Sequence, residues 1–319
     1  MPELFIEIGT EEIPAGYVPP AFKYLERELT SFFEKNRVQA GTPRAMGSPR
    51  RLVVSFPRVA DRQKDVVETH HGPNVKVAFD AQGQPTKAAI GFARGKGIDV
   101  SALGRAQTPK GEVVCARVEK IGQPTETILS AFLPQLFKEI PFPKKMRWGA
   151  HSLAFARPVQ WIAALFGGKV LDVKFDAIQS GNISWGHRFL KPKSFKVRGL
   201  TTYLRQCEKH FLVIDPEERK RFIQEQVRML ADEVGGIVED DPALLEQVNY
   251  LVEYPVAIRG DYESRYLELP KELLTITMKY HQRYFPVSSQ DGKLLPHFIT
   301  ISNMPSGNGD EIKRGNERV

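Results

Sequence analysis

From its first residues the chain switches between two apolar spacings, and that switching limits the fold more than any other feature. In LFIEIGTEEIPAGYVPP, Leu4, Ile6 and Ile8 alternate with Phe5 and Glu7, the two-residue period of a strand. Gly9 ends it. Pro14 biases Ile13 away from helix, and Pro19 and Pro20 suit a first helical turn. Phe22, Leu25, Leu29, Phe32 and Phe33 then recur at three- and four-residue steps, so an amphipathic helix runs to about Asn36. The unit is strand, structured loop, helix.

The alternation continues. RRLVVSF around Val53 and EVVCARVE around Cys115 read as strands, PTKAAIGFARG and PTETILSAFLPQLFKEI as helices, and PVQWIAAL and KVLDVKFD as strands paired across Gly167-Gly168. Further on, Asp215 is an N-cap, Pro216 takes the first helical position, Glu217 and Glu218 fill the first turn, and Gly235 and Gly236 close the helix. Helices over ALLEQVNYLV and PKELLTITMKYH, a strand over PVAIRG, and a hairpin pairing RYFPVS with HFITIS across QDGK come after it. Hairpins among the alternating elements predict an α+β (mixed α/β) fold with mixed, largely antiparallel sheets and packed helices.

With 319 residues the chain exceeds what one core usually holds, roughly 250 to 300 residues, so two domains are expected. The polar, glycine-bearing SGNISWGHRF marks the joint, giving residues 1–190 and 191–319. No apolar run reaches the roughly 20 residues of a membrane span, and no basic-then-apolar leader opens the chain, so a cytoplasmic protein is expected. Cys115 and Cys207 lack CxxC spacing and read as buried small residues, excluding a disulfide framework or thiolate zinc site. The last stretch, DEIKRGNERV, carries no stop signal, so the chain is expected to be a piece of a longer one.

A net charge of +7 favours polyanionic partners, and its distribution says more than its total. Between Arg37 and Arg62 six arginines, among them Arg44, Arg50 and Arg51, face the single acid Asp61. KEIPFPKKMRW sets Lys138, Lys144, Lys145 and Arg147 against Glu139, and HRFLKPKSFKVR carries Arg188, Lys191 and Lys193 without an acid. Phe142, Trp148, Phe189 and Phe195 are interleaved with these cations. Two readings fit: phosphate contact with base stacking on an RNA, or a solvated basic face near domain joints. The candidate RNA contacts are therefore Arg44, Arg50, Arg51, Lys144, Lys145, Arg147, Arg188, Lys191 and Lys193.

Catalytic patterns are absent. Glu11 and Glu12 are adjacent, which sends their side chains apart and disfavours an acid/base pair. A loop role is the better reading, with Thr10 and the carboxylates accepting from backbone donors freed by Gly9 and Gly16. GFARGKG has three residues before its GK pair where a P-loop has four, and lacks the following Ser or Thr. The seven histidines show no metal-ligand spacing, and no GxSxG supports a nucleophilic serine. HQRYF from His281 reads either as an RNA contact or as core aromatics beside a capped helix end. No catalytic residue, metal or cofactor is expected on this chain.

A resemblance to a known family is carried by many stretches in order. FIEIGTEEIPA, GPNVKVAFDAQGQPTKAAIGFARGKG, MRWG followed by FARPVQWI, SGNISWGHRF, LVEYPVAIRGDYESRYLELPKELL, MKYHQRYFPV, HFITISNM and GNERV together resemble the beta subunit of bacterial glycyl-tRNA synthetase, over essentially the whole chain. The resemblance implies a heterotetramer of two alpha and two beta chains that joins glycine to tRNA(Gly). ATP and magnesium would be used through the alpha subunit, with the beta subunit supplying most of the tRNA binding. It also implies an architecture similar to the editing-type domain of the phenylalanyl enzyme's beta subunit, expected here in residues 191–319. HD-type helical and anticodon-binding domains would lie beyond this chain. The resemblance carries over no catalytic residue. A non-catalytic assembly module that docks on the alpha subunit without touching RNA is the alternative.

Overall fold

The computed structural model describes residues 1–109, 111–149, 153–304 and 309–319. Its centre is a sheet that opens with β1 (Leu4–Thr10), a strand buried along its whole length. After α1 (Val18–Lys35) the chain returns as a hairpin, β2 (Arg44–Ser48) and β3 (Arg51–Phe56), with Ser48 paired to Arg51 across a Pro49-Arg50 turn. It then leaves to build a small three-stranded sheet: β4 (Val66–Asn74) leads through the short helices α2 (Val75–Ala78) and α3 (Lys87–Gly95) to β5 (Gly104–Thr108) and β6 (Gly111–Lys120). The helix α4 (Thr125–Glu139) brings it back to β7 (Val159–Phe166) and β8 (Lys169–Val170), completing an antiparallel sheet of order β2-β3-β1-β7-β8.

Alternation in β1 gives that sheet two covered faces. Leu4, Ile6 and Ile8 meet Phe22, Leu25, Leu29 and Phe33 of α1 and Leu129, Leu133 and Phe137 of α4. Each such side chain stabilises the fold by roughly 1.5–3 kcal/mol on leaving water. Phe5 points to the other face, among Val53, Ala163, Leu165 and residues from later in the chain.

Those later residues come after two short ladders, β9 (Lys174–Phe175) with β10 (Ile178–Gln179), and β11 (Ile183–Trp185) with β12 (Ser194–Lys196). The loop expected over SGNISWGHRF is therefore partly strand. Phe195 and Val197, then Tyr203 and Cys207 of α5 (Leu200–Lys209), and finally Leu212 and Ile214 pack on the Phe5 face. Packing carries the first core on to Ile214, well past residue 190. Gly167 and Gly168 form the expected turn with φ of 58° and 77°, but the β7–β8 ladder stops after Leu165–Val170 and Phe166–Lys169.

The second core begins at α6 (Pro216–Asp232), where the Asp215 carboxylate accepts hydrogen bonds from the Glu217 and Glu218 amides as its N-cap position predicts. With α7 (Pro242–Asn249) it packs on a three-stranded antiparallel sheet, built from β13 (Val256–Asp261) and, after α8 (Lys271–Ile276), from the hairpin of β14 (Phe285–Ser288) and β15 (Leu294–Ser302). The α8 helix continues as a π-helical turn over Thr277–Gln282, and α9 (Gly309–Arg318) comes after the sheet. An α+β fold of small antiparallel sheets with packed helices is thus the observed class. Cys115 and Cys207 are free and buried, as expected. Among the described residues no helix is long and apolar enough to cross a membrane.

Candidate functional site

Four of the stretches that carry the family resemblance or the basic clusters meet at one end of the central sheet: the end of β1, the β2–β3 turn, the start of β7 and the β11–β12 loop. The meeting point depends on a bulge. Gly9 pairs with Trp161 but Thr10 pairs with Val159, so Gln160 is the extra residue on β7. Bulges of this kind re-aim side chains. The Trp161 indole lies against the bare face of Gly9, in space that any β-carbon there would occupy. A cavity of about 360 Å³ opens beside it, lined by Arg50, Gln160, Trp161, Trp185, Gly186, Arg188 and Pro192.

Charge at this cavity is organised by Glu11 and Glu12. The Arg188 guanidinium donates to Glu11 Oε2 at 3.2 Å and Glu12 Oε1 at 2.6 Å, while Arg50 lies 3.8 Å from each of the same two carboxylates. Burial raises the Glu12 pKa, but Arg188 and Arg50 outweigh it and hold the carboxyl below its ordinary value. The acidic joint is therefore not an acid/base pair; it clamps two arginines from distant parts of the chain, and of the expected backbone donors the Glu12 carboxylate takes its own amide. Thr10 instead donates its hydroxyl to the Glu11 carbonyl.

Directly beneath lies a second, fully buried cluster. Arg51 donates from Nη1 to Glu7 Oε1 at 3.1 Å, from Nε to Glu253 Oε1 at 2.9 Å, and also to Ser184 Oγ and the Gly186 carbonyl. Tyr203 and Ser184 donate to Glu7, and Ser48 to Glu253. The Arg51 guanidinium sits 5.0 Å from the centre of the Trp161 ring. Burial raises the Glu253 pKa, yet Arg51 and the Ser48 hydroxyl outweigh it and hold the carboxyl below the ordinary 4.5. His187 is buried as well; its Nδ1 accepts from the Leu190 amide at 3.2 Å, and burial pushes its pKa down, so the ring is neutral.

The expected RNA contacts separate accordingly. Arg51 is 0% exposed and has no surface to offer a phosphate, and Arg50 is only 8% exposed. Arg44 is exposed but ion-paired with Asp215 at 2.6 Å. The cluster between Arg37 and Arg62 is thus largely engaged with the protein itself. Arg188 and Lys193 are exposed and Lys191 half-buried on one loop beside the cavity, with Lys191 Nζ donating to the Lys209 carbonyl. Lys144, Lys145 and Arg147 are exposed on a different segment, after α4. In HQRYF, Tyr284 and Phe285 are core residues, 6% and 5% exposed.

Sequence reasoning missed Gln160, Trp161 and Trp185 as lining residues. The available signal was small residues facing large ones: Gly9 opposite Trp161, and Gly186, where a β-carbon would strike the Lys191 carbonyl and His210. Among the described residues no group of His, Cys, Asp and Glu is arranged to hold a metal.

Comparison with known proteins agrees with this reading of the motifs. The family described as glycyl-tRNA synthetase beta subunit matches residues 4–319. Glycine–tRNA ligase beta subunits from Syntrophotalea carbinolica and Citrifermentans bemidjiense are 47% and 48% identical over 317 residues, 99% of this chain and 46% of each relative. That from Geobacter metallireducens is 45% identical over 319 residues, 100% of this chain and 46% of the relative. The chain therefore spans about half the length of these relatives. On this agreement, end to end, the chain belongs to the glycyl-tRNA synthetase beta subunit family.

Proposed function

We propose that this chain serves in attaching glycine to tRNA(Gly) as part of a beta subunit that grips the tRNA, while an alpha subunit holds glycine, ATP and magnesium and makes the bond. The observation that carries this reading is the 185–193 segment, where Arg188, Lys191 and Lys193 stand beside the exposed rings of Trp185 and Phe189. Cations position phosphates and aromatic faces stack bases. Lys144, Lys145 and Arg147 extend the grip to further phosphates. Holding the RNA in register lowers the entropic part of the transfer barrier, so a subunit without reactive groups still accelerates the reaction.

The test is binding of tRNA to the full-length subunit across a salt series. Replacing Lys191 and Lys193 with alanine is expected to weaken binding and to reduce the salt slope by about 0.9 for each phosphate that is no longer neutralised. An unchanged slope overturns the assignment.

A second reading, docking on the alpha subunit without RNA contact, is favoured by a different region. Tyr266, Leu269, Leu273, Ile276 and Tyr280 are between 42% and 66% exposed along 266–280, an apolar row suited to a protein partner. Absence of tRNA binding at low salt, with assembly intact, selects it.

A further inference from the structure

The cavity at the end of the central sheet is bordered by two buried donors that make no hydrogen bond: Trp161 Nε1, and Arg50 Nε, which lies 3.8 Å from Glu12 Oε1, beyond hydrogen-bond distance. Both are shielded from solvent. Both residues line the cavity. Arg50 is 8% and Trp161 9% exposed, so water reaches neither freely. A buried donor without an acceptor costs about 1–3 kcal/mol, which a ligand oxygen at that position would recover.

Both orphans are donors, so the ligand must bring acceptors. The carboxylates of Glu11 and Glu12 already balance the Arg50 and Arg188 guanidinium charges, so a small bare anion gains little from electrostatics here. The remaining attraction is apolar and planar. Trp185, 44% exposed, forms part of the wall, and Phe189, 62% exposed, carries the Arg188 guanidinium 5.1 Å from its ring centre. Oxygen acceptors joined to a flat aromatic surface describe a nucleotide. The cavity, about 360 Å³, is of a size for one such unit.

We propose that this cavity takes a single unpaired nucleotide of an RNA strand. Its phosphate or sugar oxygens accept from Trp161 Nε1 and Arg50 Nε after the adjoining side chains shift to uncover these shielded donors, and its base stacks on Trp185. A paired base, already stacked within a helix, does not enter. This assignment rests on the tRNA-binding reading and refines it, because it names one hollow beside the basic loop as the place of a single nucleotide.

The experiment uses the full-length subunit and two probes, a single-stranded tetraribonucleotide and intact tRNA, with inorganic phosphate as a third. The tetranucleotide is expected to bind and to quench tryptophan fluorescence. Trp185→Ala is expected to weaken that binding roughly 5- to 150-fold, the range set by one base–aromatic stack, whereas Trp185→Phe retains most of it. Phosphate alone is expected to compete poorly. Thermal unfolding of both variants, whose substituted residue is 44% exposed, checks that they fold. If tRNA binds but the tetranucleotide does not, or if Trp185→Ala binds it as well as the parent, the subsite is wrong while the tRNA reading stands. If neither RNA binds, both fall. If Trp185→Ala weakens association with a partner protein and leaves tetranucleotide binding unchanged, the cavity is a docking site and the proposal is overturned.

Discussion

Arg51 and Arg219 are both fully buried, and both tie the first core to the second, but the two sites hold their cation differently. Arg51 is surrounded by carboxylates, Glu7 and Glu253, with hydroxyls completing the cluster. Arg219 is held by carbonyls alone: those of Gly47 at 2.9 Å and Asn249 at 2.8 Å, and those of Val213 and Ile214. Tyr250 lies against its guanidinium with the ring centre at 5.5 Å. At both sites burial works against the charge. At Arg51, Glu253, Tyr203 and Glu7 outweigh burial and raise the pKa; at Arg219 burial dominates and pushes it down to about 10. The lesson is that a buried arginine performs two separable tasks. One neutralises acids that would otherwise be stranded, and the other gathers backbone carbonyls from β2, from the last residue of α7 and from the irregular 213–214 stretch.

The largest difference between the sites should appear on removing the cation. Arg51→Met leaves Glu253 and Glu7 buried without their partner and is expected to cost about 3–5 kcal/mol, read from the shift in urea unfolding. The pH dependence sharpens this. Because the Glu253 carboxyl is held below its ordinary 4.5 in the folded protein, its contribution is present above that value and is lost as the pH falls through the folded pKa. The gap between Arg51→Met and the parent should therefore narrow in acid. A gap that stays constant there would mean that the carboxylates do not depend on Arg51.

A smaller effect is expected at the other site. Arg219→Met strands neutral carbonyls, for a loss of about 1–3 kcal/mol that does not change across the acid range. Equal losses at Arg51 and Arg219 would erase the distinction. The smallest change tests a supporting hydroxyl: Tyr203→Phe removes the 2.8 Å hydrogen bond to Glu7 while keeping the ring packed, for about 0.5–1.5 kcal/mol in the same unfolding measurement.

The contrast also marks what sequence reasoning reaches. Apolar spacing places β1 and α1 because it is set by near neighbours in the chain, and α6 is legible from the caps at Asp215 and Gly235, which are local chemistry. Arg51 was assigned to a surface because it stands in a run of arginines beside a turn, and its partner Glu253 lies 202 residues away. A hint was present nonetheless. Glu7 occupies an inward position between Ile6 and Ile8 in a strand with no exposed face, and a carboxylate there requires a cation. The cavity was less accessible still, since it depends on the one-residue bulge at Gln160, which no apolar pattern encodes. The strands β2, β4 and β5 escaped for a related reason: RAMGS, VVETHHGPN and GRAQT are polar or small, and pairing with a stronger neighbouring strand makes them β.

The indole of Trp161 covers the guanidinium of Arg51 and also borders the cavity, so one ring belongs to both the seam between the cores and the ligand subsite. Linkage is reciprocal: whatever occupies that hollow and steadies the ring tightens the seam, and whatever loosens the seam lowers the affinity of the hollow. Heat tolerance and the affinity for a ligand in that hollow would then share one coupling free energy through that one side chain.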